Sequence, residues 1–81
     1  MRKEDNMDKK AIGRRLRELR GSRTQNEVAD AIGISIAAVG MYERGERIPR
    51  DEIKVKLAVL YGKTVDEIFF DKNDTPTVSK E

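Results

Sequence analysis

The sequence predicts an all-α fold, a single domain of five short helices. Apolar residues recur at helical spacing, and no run alternates between apolar and polar residues for long enough to form a strand. Glycines and N-capping residues interrupt the apolar pattern at short intervals, which keeps each helix short. With 81 residues, of which 37% are hydrophobic, the chain can bury one small core.

The first helix is predicted over about residues 8–20, where Ile12, Leu16 and Leu19 share one face. Residues 1–23 carry a net charge of +5, in a chain whose total net charge is +2. Such a basic segment fits either a polyanionic partner or a solvated helix face, and charge alone does not distinguish the two.

Two short helices follow, each with a side-chain cap. Thr24 and Glu27 form a capping box at the start of the second helix, and Gly33 ends that helix in the left-handed conformation that glycine tolerates. Ser35 caps a third helix, predicted over about residues 36–44. The positions expected to face the core are Val28, Ala29, Ile32, Val39 and Tyr42.

A fourth helix is predicted over about residues 50–61, and a fifth begins at a second capping box, Thr64 with Glu67. Because neighbouring helix positions point in different directions, one of Phe69 and Phe70 is expected to close the core. The other is exposed, either as a dimer contact or as a satellite of the core. The apolar stripe of the fourth helix is expected to be Ile53, Leu57, Leu60 and Tyr61.

The predicted organisation is a flexible segment at residues 1–8, one folded domain at 9–70 and a disordered tail at 71–81. The chain has no Cys and no His, so we expect no disulfide, no metal site, no cofactor and no catalytic residues. An enzyme is therefore not expected, and we expect no small-molecule ligand either. The apolar runs are too short to cross a membrane and the N-terminus is polar, which predicts a cytoplasmic protein.

The informative segment is residues 25–42, in which Gly33-Ile34-Ser35 joins two short helices. A three-residue turn that contains glycine is typical of a helix-turn-helix. Ala29 is small where the helices are expected to cross, and Val39 anchors the second of them from below. That helix can then project its outer face, with the free N–H groups of its N-terminus directed toward a phosphate.

Three segments resemble, in order and spacing, the motifs of the phage-repressor-like helix-turn-helix family, the Cro- and XRE-type DNA-binding domains. They are TQNEVADAIGIS at 24–35, YERGERIP at 42–49 and YGKTVDEIF at 61–69. The resemblance extends over about residues 10–70. It implies a five-helix DNA-binding domain whose helix-turn-helix is formed by the second and third helices.

The resemblance also implies roles for individual residues. An ion pair is expected between Arg20, at the end of the first helix, and Glu43. The residues expected to face base edges are Ile36, Ala37, Gly40 and Met41. Those expected close to phosphates of the DNA backbone are Thr24, Gln25, Arg44, Arg47 and Arg50.

The implied function is sequence-specific binding of double-stranded DNA by a transcription regulator, with repression favoured. The implied assembly is a homodimer on a pseudo-palindromic site, in the cytoplasm of a bacterium and encoded by the bacterium or a phage.

Residues 36–42 depart from the family because they are almost entirely apolar, whereas family members direct Gln, Arg, Ser or Asn toward the bases. In one account, Ile36 and Ala37 contact thymine methyl groups, Gly40 lets the helix lie deep in the groove, and specificity depends on DNA shape. In the alternative, the apolar face of residues 36–41 binds a protein, as in an antitoxin or an anti-repressor partner. A nonspecific architectural DNA binder is a third hypothesis.

Overall fold

The computed structural model describes residues 8–70, and over that range the chain is all-helical. Its helices are α1 Lys9–Arg20, α2 Gln25–Ile32, α3 Ile36–Glu43, α4 Asp51–Tyr61 and α5 Val65–Phe69. The predicted all-α fold is confirmed, and every helix lies close to its predicted position. The predicted tail at 71–81 and flexible segment at 1–8 lie outside the described residues, except for Asp8, whose side chain caps α1.

Short-range capping signals determine where two of the helices begin. At α2, the Glu27 N–H donates to Thr24 Oγ1 over 3.0 Å while the Thr24 N–H donates to Glu27 Oε1 over 2.9 Å. Thr64 and Glu67 make the same reciprocal pair at α5. Both predicted capping boxes are confirmed, since such a box needs only residues three positions apart in the sequence.

The core lies between all five helices and is almost entirely aliphatic. Phe69 is buried in it and Phe70 is half-exposed, as the sequence predicts for this pair. The buried members are Ile12, Leu16, Val28, Ala29, Ile32, Val39, Ile53, Leu57, Ala58, Ile68 and Phe69.

The buried stripe of α4 differs from the predicted one. Leu60 and Tyr61 are only partly buried, whereas Lys54 lies against the core. The Lys54 ammonium lies 5.7 Å from the ring centre of Phe69 and 5.2 Å from that of Phe70, with Asp51 Oδ1 at 3.5 Å. The aliphatic stem of the lysine thus replaces an apolar residue, while its charge is stabilised by the rings and the carboxylate.

Helix α1 packs closely on the C-terminal end of α3, through Gly13. A Cβ atom at Gly13 would overlap the carbonyl oxygen of Glu43 and lie 2.9 Å from the carbonyl oxygen of Tyr42. Only glycine therefore allows this approach, which sets the position of α3 relative to α1.

Candidate nucleic-acid interface

The turn between α2 and α3 has the backbone geometry expected of a helix-turn-helix. Gly33 is left-handed, with φ of +76°, and the N–H groups of Gly33 and Ile34 both donate to the Ala29 carbonyl oxygen. Ser35 Oγ then accepts from the Ala38 N–H over 3.0 Å and caps α3. Ala29 and Val39 are buried between the helices, as predicted. The turn therefore fixes the angle at which α3 leaves α2.

The outer face of α3 is apolar and largely open to solvent. Ile36 is 49% exposed, Ala37 is exposed and Met41 is half-buried. Gly40 is the exception: it lies on this side of α3, but it is buried and not open to solvent as expected. It is buried because the guanidinium of Arg44 and the amide of Gln25 lie over it.

Behind the outer face of α3, a buried carboxylate connects α1, α2 and α3. Glu43, whose side chain is 5% exposed, accepts from Arg20 Nε over 2.7 Å and from Arg20 Nη2 over 3.0 Å. The ion pair expected between these two residues is confirmed. The hydrogen bond to Glu43 is the main cause of the raised pKa of Arg20, so Arg20 stays charged at neutral pH.

Gln25, the first residue of α2, completes this arrangement. Its Nε2 donates to Glu43 Oε1 over 3.0 Å, which orients a half-buried side chain at the helix N-terminus. Because an amide has two N–H donors and an acceptor oxygen, Gln25 keeps hydrogen-bonding capacity for an external group. Thr24 beside it is exposed, and its hydroxyl oxygen accepts from the Glu27 N–H, which leaves the hydroxyl hydrogen to donate elsewhere.

Arginine side chains lie on the side of the apolar α3 face that is opposite to Thr24 and Gln25. Arg47 and Arg50 are exposed in the loop between α3 and α4, and Arg50 Nε is 3.6 Å from Glu52 Oε2. Together with Ser35 and Tyr42 they line a groove of about 400 Å³ next to the N-terminus of α3. The apolar face thus has hydrogen-bond donors of α2 on one side and cationic side chains on the other.

Arg44 ends α3 in an ion pair with Glu46. Its Nε donates to Glu46 Oε2 over 2.9 Å and its Nη2 donates to Glu46 Oε1 over 3.2 Å. The pair is exposed. The sequence pattern gave no signal for it, because both residues lie in the loop motif that follows the end of α3. The sequence likewise gave no signal for the role of Gly13, which depends on a contact between distant segments.

Within residues 8–70, no group of acidic side chains is arranged to hold a metal ion. Nor is any helix in that range both long and apolar enough to span a membrane.

The comparison with protein families gives a match to the helix-turn-helix model over residues 14–68, which covers most of the chain and reaches from α1 into α5. The chain belongs to the Cro/C1-type helix-turn-helix family. The resemblance inferred from the three sequence motifs is therefore confirmed, and with it the DNA-binding class of the domain. The comparison with curated proteins gave no match.

Proposed function

We propose that this helix-turn-helix domain is a sequence-specific transcription regulator that inserts α3 into the major groove of double-stranded DNA. The observation that carries the proposal is the exposed outer face of α3, held at a fixed angle by the glycine turn and by the Arg20–Glu43 ion pair. A rigid helix that projects from the domain is what major-groove recognition requires. Repression is the expected outcome, since occupancy of an operator is enough to block a promoter. The expected site of action is the cytoplasm of a bacterium.

The base contacts in this proposal are mostly apolar. Ile36 and Ala37, in the first turn of α3, are exposed and suit the methyl groups of thymine. Met41 follows one turn later and adds a polarisable contact surface. Because methyl contacts discriminate less sharply than paired hydrogen bonds, sequence-dependent DNA shape contributes to specificity.

Phosphate contacts supply most of the affinity and orient the helix. Thr24 and Gln25 lie at the N-terminus of α2, where free N–H groups favour an anion, and both retain hydrogen-bond donors. Arg47 and Arg50 are exposed cations on the other side of the α3 face. With one such phosphate site on each side of α3, the domain would bind the two DNA backbones that border the major groove.

The proposed assembly is a homodimer on a pseudo-palindrome, with the two recognition helices about 34 Å apart. The support is an exposed apolar stripe on α4, where Val55 is 52% and Val59 is 76% exposed. The stripe borders a groove of about 350 Å³ between α2 and α4, lined by Ala31, Ile32, Val55, Lys56, Val59 and Leu60. A twofold contact would cover the same stripe on both copies.

The second candidate function is a protein-interaction module, such as an antitoxin or an anti-repressor partner, that uses the outer face of residues 36–41. The exposure of Ile36 favours it, since an exposed apolar side chain also suits a protein interface. The family match and the cations beside that face favour DNA.

Selection of bound duplexes from a random pool tests the proposal with the full chain. We expect an enriched motif with dyad symmetry and half-sites separated by about one helical turn of DNA. Retention of duplexes without any sequence preference would support an architectural binder, and no retention at low salt would support the protein-interaction module.

A further inference from the structure

Arg44 lies on the same face of the recognition helix as the residues proposed to face the bases. Its backbone continues the helical conformation of α3, with φ of −83° and ψ of −3°. It follows Gly40 by four positions and Met41 by three, a spacing that places residues on one helix face. Helical side chains lean toward the N-terminus over the preceding turn, so the long side chain of Arg44 extends back along α3.

Gly40 makes room for that side chain. A Cβ atom at position 40 would lie 2.9 Å from Arg44 Nη1 and 3.7 Å from Gln25 Oε1. The first of these distances is shorter than a normal contact, so any larger residue would displace the guanidinium. This contact gives Gly40, in the middle of the recognition helix, a physical role despite its low helix propensity.

Glu46 holds the guanidinium by one edge. The two hydrogen bonds from Nε and Nη2 occupy that edge, and Nη1 takes no part in the ion pair. Nη2 also has a second N–H, so the edge formed by Nη1 and Nη2 keeps donors in a fixed plane. The side chains of Arg44 and Glu46 are 59% and 53% exposed. Such an exposed ion pair contributes little to the free energy of unfolding. Its main effect is therefore to orient the guanidinium of Arg44.

We infer that Arg44 is a base-contacting residue, with its Nη1–Nη2 edge directed at the O6 and N7 atoms of a guanine, and that Glu46 and Gly40 position it. This assignment replaces the phosphate contact that the family resemblance implies for Arg44. It also supplies the polar, discriminating contact that the apolar residues 36–42 lack. The inference depends on the proposed function, since it requires α3 to lie in the major groove.

If Glu46 positions Arg44 in this way, Glu46→Gln should change base selectivity and DNA affinity in opposite directions. Removing the carboxylate releases the guanidinium and removes a negative charge from the DNA-binding face. We therefore expect weaker discrimination at the guanine together with tighter binding to all duplexes. A residue with a purely structural role would not shift these two properties in opposite directions.

The test uses the full chain, the duplex selected by the unaltered protein, and variants of that duplex in which each base pair is replaced in turn. For the unaltered protein we expect one guanine per half-site whose replacement weakens binding by about 5- to 150-fold. Arg44→Lys keeps the charge but loses the planar fork, so it should lose preference at that guanine alone, with the salt dependence unchanged. Gly40→Ala should lose the same preference, and circular dichroism shows whether it remains folded.

Two results would overturn the inference. One is that Arg44→Lys keeps every base preference of the unaltered protein. The other is that Arg44→Gln weakens binding to all duplexes equally and reduces the salt dependence by about one phosphate contact, which is the signature of a backbone contact. If the unaltered protein selects no motif, the proposed function fails as well, whereas a motif without a discriminated guanine overturns this inference alone.

Discussion

Arg20 and Glu43 join the end of α1 to the end of α3 through two parallel hydrogen bonds of 2.7 and 3.0 Å. The carboxylate is buried and also accepts from Gln25 at the start of α2. A single carboxylate therefore fixes three helices relative to one another. In this way the orientation of α3, the proposed recognition helix, depends on an ion pair that lies behind the outer face of α3 rather than on it.

Glu43→Ala is expected to destabilise the fold by about 1–3 kcal/mol, because it leaves Arg20 and Gln25 without their acceptor in a largely buried place. Urea unfolding followed by circular dichroism measures the change. Glu52→Gln is the control, since Glu52 is an exposed residue whose contact with Arg50 is long, at 3.6 Å. Its effect should stay within about 0.5 kcal/mol. Equal effects of the two substitutions would contradict the role of Glu43.

Gly13→Ala is expected to destabilise the fold by about 1–3 kcal/mol, because the new methyl group overlaps the backbone of α3 at Glu43. Thermal and urea unfolding report the loss. Arg14→Ala alters the neighbouring, exposed position of α1 and should leave stability almost unchanged. If Gly13→Ala unfolds at the same urea concentration as the unaltered protein, the close approach of α1 and α3 does not exist in solution.

The ion pair of Arg44 and Glu46 has a pH signature. The hydrogen bond from Arg44 holds the pKa of Glu46 below its usual value. Because the folded-state pKa is lowered, the pair contributes above the unfolded-state pKa and is lost as pH falls through the folded-state pKa. In an NMR titration of the side-chain carboxyl, Glu46 should titrate at a lower pH than an unpaired glutamate. Arg44→Gln should return it to the usual range, and an identical titration in both proteins would exclude the pair.

Replacing Arg47 and Arg50 together by Ala should weaken binding to every duplex sequence alike. If each side chain contacts one phosphate, the slope of log affinity against log salt concentration should fall by about 2. The matched control is Arg14→Ala with Arg17→Ala, which removes the same charge from exposed positions of α1. A similar loss of slope in both double variants would mean that only net charge matters, and would contradict specific contacts by Arg47 and Arg50.

Val59→Glu should prevent dimer formation while the monomer stays folded, because Val59 is 76% exposed and is not part of the core. Sedimentation should show a monomer, and binding to a full pseudo-palindrome should fall to the level of a half-site. Ser22→Glu, which adds the same charge at an exposed position outside α4, tests whether a new acidic charge alone has this effect. An unchanged dimer in Val59→Glu would place the contact elsewhere, with half-exposed Phe70 the next surface to test.

Features of the fold that depend on neighbours in sequence could be predicted. The capping boxes at Thr24 and Thr64, the left-handed Gly33 and the burial of one residue of the Phe69–Phe70 pair all follow from spacing or from residue type. The Arg20–Glu43 pair joins distant segments, and only the family resemblance indicated it. A contact of this kind has no periodicity in a single sequence.

Features that depend on packing between segments could not be predicted. Lys54 is buried because Phe69, at the end of α5, and the following Phe70 lie beside it. Gly13 is required because α3 approaches from a distant part of the chain. Gly40 was expected to be open to the DNA, but the side chain of Arg44 covers it. Helical periodicity identifies which positions share a face, but it does not show which long side chain lies across that face.

The most direct test of the central claim, that the outer face of α3 contacts DNA, is the affinity of Ala37→Glu for the selected duplex. Arg14→Gln is the control, since it lowers the net charge by the same amount at an exposed position of α1. We expect Ala37→Glu to bind at least about 100-fold more weakly, because a carboxylate would be placed among base edges and phosphates. The control should lose no more than about threefold through its charge. Equal affinities of Ala37→Glu and Arg14→Gln would contradict the claim and favour a protein as the partner of this face.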